Sequence, residues 1–181
     1  GNYSFDAWTE LSGDLVTYND SVKGYDVVND SNLVLGTEEN SNSIFDYPAP
    51  YGNGYTCVKH QIIIRASELS GFSAGDINGL GFNVKTPNGV SLQDFEIKMK
   101  LTSDSVVTSS FDNNGLTSVW GPQDYSDFAG WNMHNFSTPF YWDGQSNILL
   151  ETCFCNGYNN YTSNAEMYNT NTNFLSTIYQ Y

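Results

Sequence analysis

The chain has 181 residues, a length that suits one compact domain with a short appendage and makes a multidomain enzyme a poor expectation. Its 20 acidic and 6 basic side chains give a net charge of −14 at pH 7, which argues against nucleic acid and anionic membranes as partners. Most of the polarity comes from 22 Asn and 20 Ser, a composition typical of secreted β-proteins, so we expect an extracellular or cell-surface location. No apolar run approaches the ~20 residues that a membrane-spanning helix needs, and no membrane insertion is expected.

Residues 1–42 form the more acidic part of the chain, because they contain eight of the twenty acids. Their apolar pieces, 14–18 and 25–35, have strand-like patterns and predict an N-terminal strand-containing segment. A long loop over 38–50, ending in YPAP, leads into the rest of the chain. We therefore predict an acidic segment over 1–42 and one domain over 43–181.

Short segments with period-two alternation follow, and turn residues separate them. The clearest is 94–101 (DFEIKMKL), in which apolar odd positions alternate with charged even positions. Further strands are predicted over 60–66, 77–85, 116–120, 133–142 and 147–154, breaks at 87–89, 112–115, 121–124 and 143–147, and a single helical turn at 66–70. Strands at this spacing predict an all-β fold, an antiparallel β-sandwich of jelly-roll-like architecture.

Three cysteines suggest one disulfide and one thiol outside it. Cys153 and Cys155 are two residues apart in a predicted strand, so they share a face at about 6.5 to 7 Å. That separation is too long for an unstrained disulfide. We therefore predict that Cys57 pairs with either Cys153 or Cys155. His60 and His134 have no recognisable zinc-ligand spacing and are predicted to be ordinary strand residues.

Several segments resemble a β-sandwich module of secreted, multidomain Bacteroidota proteins, many of which carry a type IX secretion sorting domain. The most specific are HQIIIRASEL (60–69) and PFYWDGQSNILLE (139–151), and the likeness covers about residues 43–181. NYSF (2–5) is similar to the opening strand that often precedes such a module. The resemblance implies an extracellular, non-catalytic module and brings no established ligand or catalytic residue.

The run Gly71-Phe72-Ser73-Ala74-Gly75 matches the GxSxG pattern of a nucleophile elbow, with Ser73 as nucleophile and His134 as its base. An elbow needs a buried strand before it and a helix after it. Here a helical turn is predicted before the run and a strand after it. We therefore interpret the match as a Ser/Gly-rich loop and expect no enzymatic activity.

Carboxylate pairs are candidate ligands for Ca²⁺, since hard cations prefer several oxygen ligands and many extracellular β-sandwiches hold one structural calcium ion. Asp124 and Asp127 are the candidate metal ligands, although no stretch fits the EF-hand loop. The alternative for each pair is a solvated turn.

Five aromatic residues, Trp120, Tyr125, Trp131, Tyr141 and Trp142, fall close together in sequence and could form a platform for sugar rings. The alternative is that large aromatic side chains pack in the core or flank turns. Trp120, Tyr125, Trp131 and Trp142 are the candidate ligand-binding residues, and Tyr125 is predicted to be the more exposed because its segment is polar.

Two tripeptides, Asp20-Ser21-Val22 and Asp104-Ser105-Val106, resemble the sites at which exported Bacteroidota proteins are O-glycosylated. Ser21 and Ser105 are therefore candidate glycosylation sites. Chance is the alternative in a chain so rich in serine.

The leading hypothesis for function is a non-catalytic extracellular adhesion or glycan-binding module of a surface or secreted protein. The alternative is a structural subunit of an extracellular filament that self-associates by strand exchange. It rests on the run 175–181, which predicts a strand with no turn signal after it, where related modules tend to continue into a further strand. An unpaired edge there would accept a strand from the acidic segment of another copy.

Overall fold

A computed structural model describes residues 2–8, 21–28, 32–45, 49–157 and 161–181. The chain divides into two compact units, Gly1–Val34 and Leu35–Tyr181. In the first unit, β1 (Asn2–Trp8) pairs antiparallel with β2 (Ser21–Val28). The strand expected from NYSF thus lies in β1 and the one expected over 25–35 overlaps β2, whereas 14–18 lies outside the described residues. The second unit begins earlier than the predicted boundary at residue 43.

The described part of Leu35–Tyr181 is built almost entirely of strands. One turn of 3₁₀ helix, Ala66–Leu69, occupies the predicted helical turn, and no described helix is long and apolar enough to cross a membrane. The strands are β3 (Asn40–Ser41), β4 (Cys57–Ile64), β5 (Gly75–Thr86), β6 (Leu92–Thr102), β7 (Thr117–Tyr125), β8 (Gly130–Trp142), β9 (Asn147–Cys155), β10 (Glu166–Asn169) and β11 (Thr177–Gln180).

Two antiparallel sheets face each other, with strand orders β3-β10-β5-β8 and β11-β4-β9-β6-β7. The strands pair in a nested way, β4 with β11, β5 with β10 and β6 with β9, as in a long hairpin folded over on itself. The predicted all-β antiparallel sandwich is confirmed.

The core lies between the sheets and is filled by the inward-facing residues of both. On β6 the predicted alternation holds over 95–99, where Phe95, Ile97 and Met99 are buried at the odd positions, whereas Leu101 is 38% exposed. Val84 of β5 and Met167 of β10 meet them from the smaller sheet. Burial of these side chains is the main term that holds the two sheets together.

The segment GPQD (121–124), predicted as a break, instead lies inside β7. Gly121 has φ +74°, and a Cβ there would collide with the carbonyl oxygen of Phe95, so only glycine fits. The partners Ile97↔Trp120 and Phe95↔Gln123 lie on either side of this irregularity. The turn residues therefore form a bulge in a continuing strand.

Loops cover the outer face of the five-stranded sheet. We call residues 103–116 the strap. A second apolar cluster forms beneath it from Ile63, Val107 and Leu149, with Leu116, Phe174 and Ile178 packed against them. The Gln61 side chain donates to the Asp112 carbonyl at 2.7 Å and accepts from its N–H at 3.0 Å, which fixes the strap to β4.

A buried carboxylate lies on the same face. Glu151 of β9 is 1% exposed and accepts from Gln61 Nε2 at 2.8 Å. Lys98 Nζ lies 3.5 Å from one of its oxygens and Lys59 Nζ lies 3.8 Å from the other. These partners offset the cost of burying the charge.

Candidate functional site

The outer face of the four-stranded sheet carries a row of exposed apolar side chains on β8. Trp131 is 44% exposed, Met133 53% and Tyr141 60%. The residues between and after them, Asn132, His134 and Trp142, point inward and are buried. We call Trp131, Met133 and Tyr141 the aromatic face.

The alternation of β8 is therefore inverted over residues 131–134. Apolar Trp131 and Met133 face solvent, whereas polar Asn132 and His134 are both 0% exposed. On β6 the same sandwich buries the apolar Phe95, Ile97 and Met99, whereas the charged residues between them face outward and are partly exposed. An inverted segment stabilises the fold less than an ordinary one would, and such local exceptions are expected at functional positions.

Asn132 is satisfied inside the protein and positions the start of β8. Its Oδ1 accepts from the Tyr125 hydroxyl at 2.8 Å and from Phe128 N–H at 3.1 Å. Its Nδ2 donates to the carbonyls of Phe128 at 2.7 Å and Gly130 at 2.9 Å. These four bonds fix the turn that precedes Trp131, so the indole stands on a rigid support.

The neighbouring strand, β5, has little side-chain bulk beside Met133. Gly81 of β5 is the partner of Met133, and a Cβ there would collide with the Met133 sulfur. Asn83, the partner of Trp131, donates its Nδ2 to Glu38 Oε1 at 2.9 Å. The face is thus flat and apolar, with an amide at its side.

A groove of about 510 Å³ adjoins the aromatic face, between β7 and β8. The groove forms where β8 bulges. Between the pairs Ile77↔Phe140 and Gly79↔Asn135, β8 contains five residue steps and β5 only two. Its lining includes rings, hydroxyls and an amide (Phe140, Tyr141, Thr117, Ser118, Thr138 and Asn114), together with three apolar side chains and one cation (Met99, Leu101, Val119 and Lys100). The volume lies within the range of ligand-binding clefts, roughly 300 to 1,000 Å³.

The four predicted ligand-binding residues do not come together as one platform. Trp142 is 4% exposed and its indole N–H donates to the Ser146 carbonyl at 2.8 Å, so it is a core residue. Trp120 and Tyr125 pack edge to face at 5.6 Å in the core, and Tyr125 is half-buried rather than exposed. Trp131 alone of the four lies on the open face.

Sequence analysis missed Met133 and did not separate Tyr141 from the other aromatic residues. The available signal was the order Trp-Asn-Met-His over 131–134, in which apolar and polar residues alternate. Alternation shows that Trp131 and Met133 share a face but not which face is buried.

A buried polar cluster lies on the inner side of β8. His134 Nε2 and the Tyr51 hydroxyl are 2.5 Å apart, and both residues are fully buried. Burial lowers the pKa of His134 to about 4 and raises the pKa of Tyr51 far above its usual range. His134 is therefore neutral, and it does not face Ser73, which is exposed in the loop before β5.

Ser73 lies between the 3₁₀ turn Ala66–Leu69 and β5, as the sequence predicted. A nucleophile elbow requires a strand before the serine and a helix after it, so this segment has neither neighbour that the motif needs.

The candidate calcium ligands have different surroundings. Asp124 is exposed and accepts from Asp94 N–H at 3.3 Å. Asp127 is buried, accepts from Asn88 N–H at 3.1 Å, and has a pKa raised by burial. In the described ranges no group of three or more His, Cys, Asp or Glu could hold a metal ion. A calcium site stays a prediction.

The disulfide prediction is confirmed, and the partner is Cys155 rather than Cys153. Cys57 and Cys155 are directly opposite each other at the end of the β4–β9 ladder. Cys153, on the same face, is a free thiol whose pKa is raised by burial. Its sulfur lies 3.9 Å from both Lys98 Nζ and Glu96 Oε2.

The two candidate glycosylation serines differ in what the structure shows. Ser105 is exposed in the strap, where its carbonyl accepts from Arg65 Nε at 2.8 Å. Ser21 begins β2, and its side chain lies outside the described part of the chain. Glycosylation at either residue stays a prediction.

Comparison of the chain with family models, with curated proteins and with solved structures finds no match.

Proposed function

We propose that Leu35–Tyr181 is a non-catalytic extracellular module for glycan binding or adhesion, and that the aromatic face is its binding surface. The observation that carries the proposal is the inverted segment of β8, which displays Trp131 and Met133 while burying Asn132 and His134. Exposed apolar patches rimmed by polar groups mark interaction sites.

The two outer faces of the sandwich differ in a way that supports this choice. The strap and residues 170–176 cover the apolar side chains of the five-stranded sheet, Ile63 and Leu149. In the described residues of the second unit, no such loop shields Trp131, Met133 and Tyr141. The aromatic face is thus an exposed apolar surface that is open to a ligand.

The chemistry of the face suits a sugar ring. An indole or phenol ring offers an apolar plane with defined geometry, against which the C–H groups of a pyranose can pack. The hydroxyls and amide beside it can both donate and accept hydrogen bonds, as sugar hydroxyls do.

An extracellular location fits the composition and the disulfide, since disulfides persist in oxidising compartments. The origin in a secreted Bacteroidota protein rests on the resemblance of residues 43–181 and is part of the proposal.

The experiment is affinity electrophoresis and calorimetry with a panel of polysaccharides: cellulose, xylan, mannan, laminarin and starch, with alginate, polygalacturonate and heparin as anionic members. We expect binding to at least one, and a loss of about tenfold or more in Trp131→Ala, the scale of one aromatic contact. Tyr181→Ala is the matched control, because Tyr181 is 66% exposed and follows β11, a strand of the other sheet.

Unchanged melting temperatures would show that both variants are folded, as expected for exposed side chains. Failure of the whole panel to bind, or equal affinity of wild type and Trp131→Ala, would reject the aromatic face as a glycan site.

The alternative function, a filament subunit that assembles by strand exchange, stays a prediction. The observation that bears on it is that β11 pairs with β4 and forms an edge of the five-stranded sheet. Its outer side is where a strand of another copy could add. Electron microscopy of the protein at high concentration tests this function, and monomers only would reject it.

A further inference from the structure

The aromatic face is long compared with one sugar ring. Trp131 is paired with Asn83 and Tyr141 with Asp76, so seven residue steps of β5 separate the two rings. At roughly 3.3 Å per step, the backbone positions are about 23 Å apart along the sheet. Both side chains point to the same outer face, so one extended ligand could contact both.

Tyr141 belongs to the aromatic face and to the groove at once. Its ring is 60% exposed on the outer face, and it also lines the groove between β7 and β8. The groove is also lined by Thr138, Thr117, Ser118 and Asn114. A ligand that passes over Tyr141 therefore moves from a flat surface into a concave one lined by hydroxyls, an amide and apolar side chains, with Lys100 as the cation among the described lining residues.

Cations in this region already have carboxylate partners. Among the described residues, Lys100 lines the groove, and Lys85 lies on β5 two residues after Asn83, the partner of Trp131. Lys100 forms an ion pair with Asp112 and donates to the Asn114 carbonyl at 2.9 Å. Lys85 Nζ lies 3.8 Å from Glu166.

Two carboxylates also lie near the aromatic face. Glu38 lies beside Asn83, and Asp76 is exposed opposite Tyr141. The chain as a whole has a net charge of −14. The carboxylates would repel a uronate or sulfate group, and no unpaired cation among the described residues nearby would attract it. An uncharged sugar needs no such cation.

We infer that the ligand is an extended, uncharged glycan chain that lies along β8 from Trp131 over Tyr141 into the groove. This inference rests on the proposed function and narrows it to neutral polysaccharides bound within the chain rather than at one terminal sugar.

The test uses the full chain and the neutral glycan family that binds best in the panel, as its disaccharide, tetrasaccharide and hexasaccharide. We expect the affinity to rise at least about tenfold from disaccharide to hexasaccharide. Trp131→Ala and Tyr141→Ala should each weaken hexasaccharide binding about tenfold, and at least one of them should leave disaccharide binding unchanged. Tyr141→Phe, which keeps the ring, should bind as wild type does, and Tyr181→Ala should have no effect at any length.

Equal affinity for disaccharide and hexasaccharide would overturn the inference that the ligand is an extended chain. Tighter binding of alginate, polygalacturonate or heparin than of the neutral glycans would overturn the inference that the ligand is uncharged. Both results leave glycan binding itself intact. Absence of binding to every member of the panel would overturn the inference together with the proposed function.

Discussion

His134 is a titratable residue of β8 that lies inside the sandwich. Its ring is fully buried and contacts Tyr51, Phe95, Trp120 and Tyr125. The raised pKa of Tyr51 keeps that hydroxyl protonated, so it donates to His134 Nε2 and the imidazole proton is assigned to Nδ1. Among the described residues Nδ1 has no hydrogen-bond partner. Protonating this ring would bury an uncompensated charge.

The first prediction concerns the pH dependence of stability. Burial lowers the pKa of native His134 to about 4, whereas an unfolded histidine has a pKa near 6.5. Between these values the unfolded chain binds a proton that the native chain does not, so the free energy of unfolding falls as pH decreases from 6.5 to 4. The loss amounts to about 3 kcal/mol over that window. Urea unfolding at several pH values measures it.

His134→Gln separates this effect from those of nearby acids. Asp127 has a pKa raised by burial, which stabilises the native state as pH falls and so acts in the opposite direction. We expect a flatter stability profile between pH 6.5 and 4 in the variant. Parallel profiles for the variant and wild type would contradict the assignment to His134.

At the level of elements, the β4–β9 ladder is the central pair of the five-stranded sheet. It runs from Cys57↔Cys155 to Ile64↔Ile148, and the disulfide closes it at one end. The two cysteines are 98 residues apart, so the bond restricts most of the second unit in the unfolded state.

The second prediction is the cost of removing this bond. For a loop of this length the chain-entropy treatment gives a loss of roughly 4 to 5 kcal/mol in the double variant Cys57→Ser with Cys155→Ser. Cys153→Ser is the matched control, because Cys153 lies outside the disulfide and its replacement should change stability much less. Equal stabilities of the double variant and this control, measured by urea unfolding, would rule out the loop-closure account.

The elements also differ in how well they follow from sequence. The alternation over 94–101 predicted β6 and its buried face, because each inward position is apolar and each outward one is charged. The prediction of a break at 121–124 was wrong because Gly and Pro occur both in turns and in bulges. β7 continues through this segment because it pairs with β6, and this pairing is a long-range contact.

At the level of the whole molecule, the second unit includes residues that the sequence assigned to the acidic segment. The Asn42 side chain donates to the Ala165 carbonyl at 2.8 Å and accepts from Met167 N–H at 2.6 Å. β3 pairs with β10 just before it. Residues 35–42 therefore contribute to the edge of the four-stranded sheet.

The third prediction compares two deletions. Removing residues 1–34 should leave a sandwich that unfolds cooperatively, because Leu35–Tyr181 contains its own core. Removing 1–42 should cost about 1 to 3 kcal/mol more, since it leaves the buried partners of Asn42 unsatisfied. Urea unfolding followed by tryptophan fluorescence measures both. Identical stabilities, or a loss of cooperativity on removing 1–34, would contradict this division.

The sequence by itself determined the all-β class, most strand positions, the helical turn and the participation of Cys57 in a disulfide. These features depend on local patterns: a period of two, turn residues, and the distance between neighbours on one strand face. They can therefore be predicted without knowing which other segment each strand pairs with.

For β8, only the tertiary structure decided which side of the strand is the core. Trp131 and Trp142 lie on the same strand and face opposite ways, so one is exposed and the other buried, although their residue type is the same. The choice depends on which face of β8 meets the opposite sheet, and on whether Tyr51 and Tyr125 can satisfy His134 and Asn132 inside. Because Tyr51 lies 83 residues from His134 in sequence and the opposite sheet is formed by other strands, no local pattern could identify the open aromatic face.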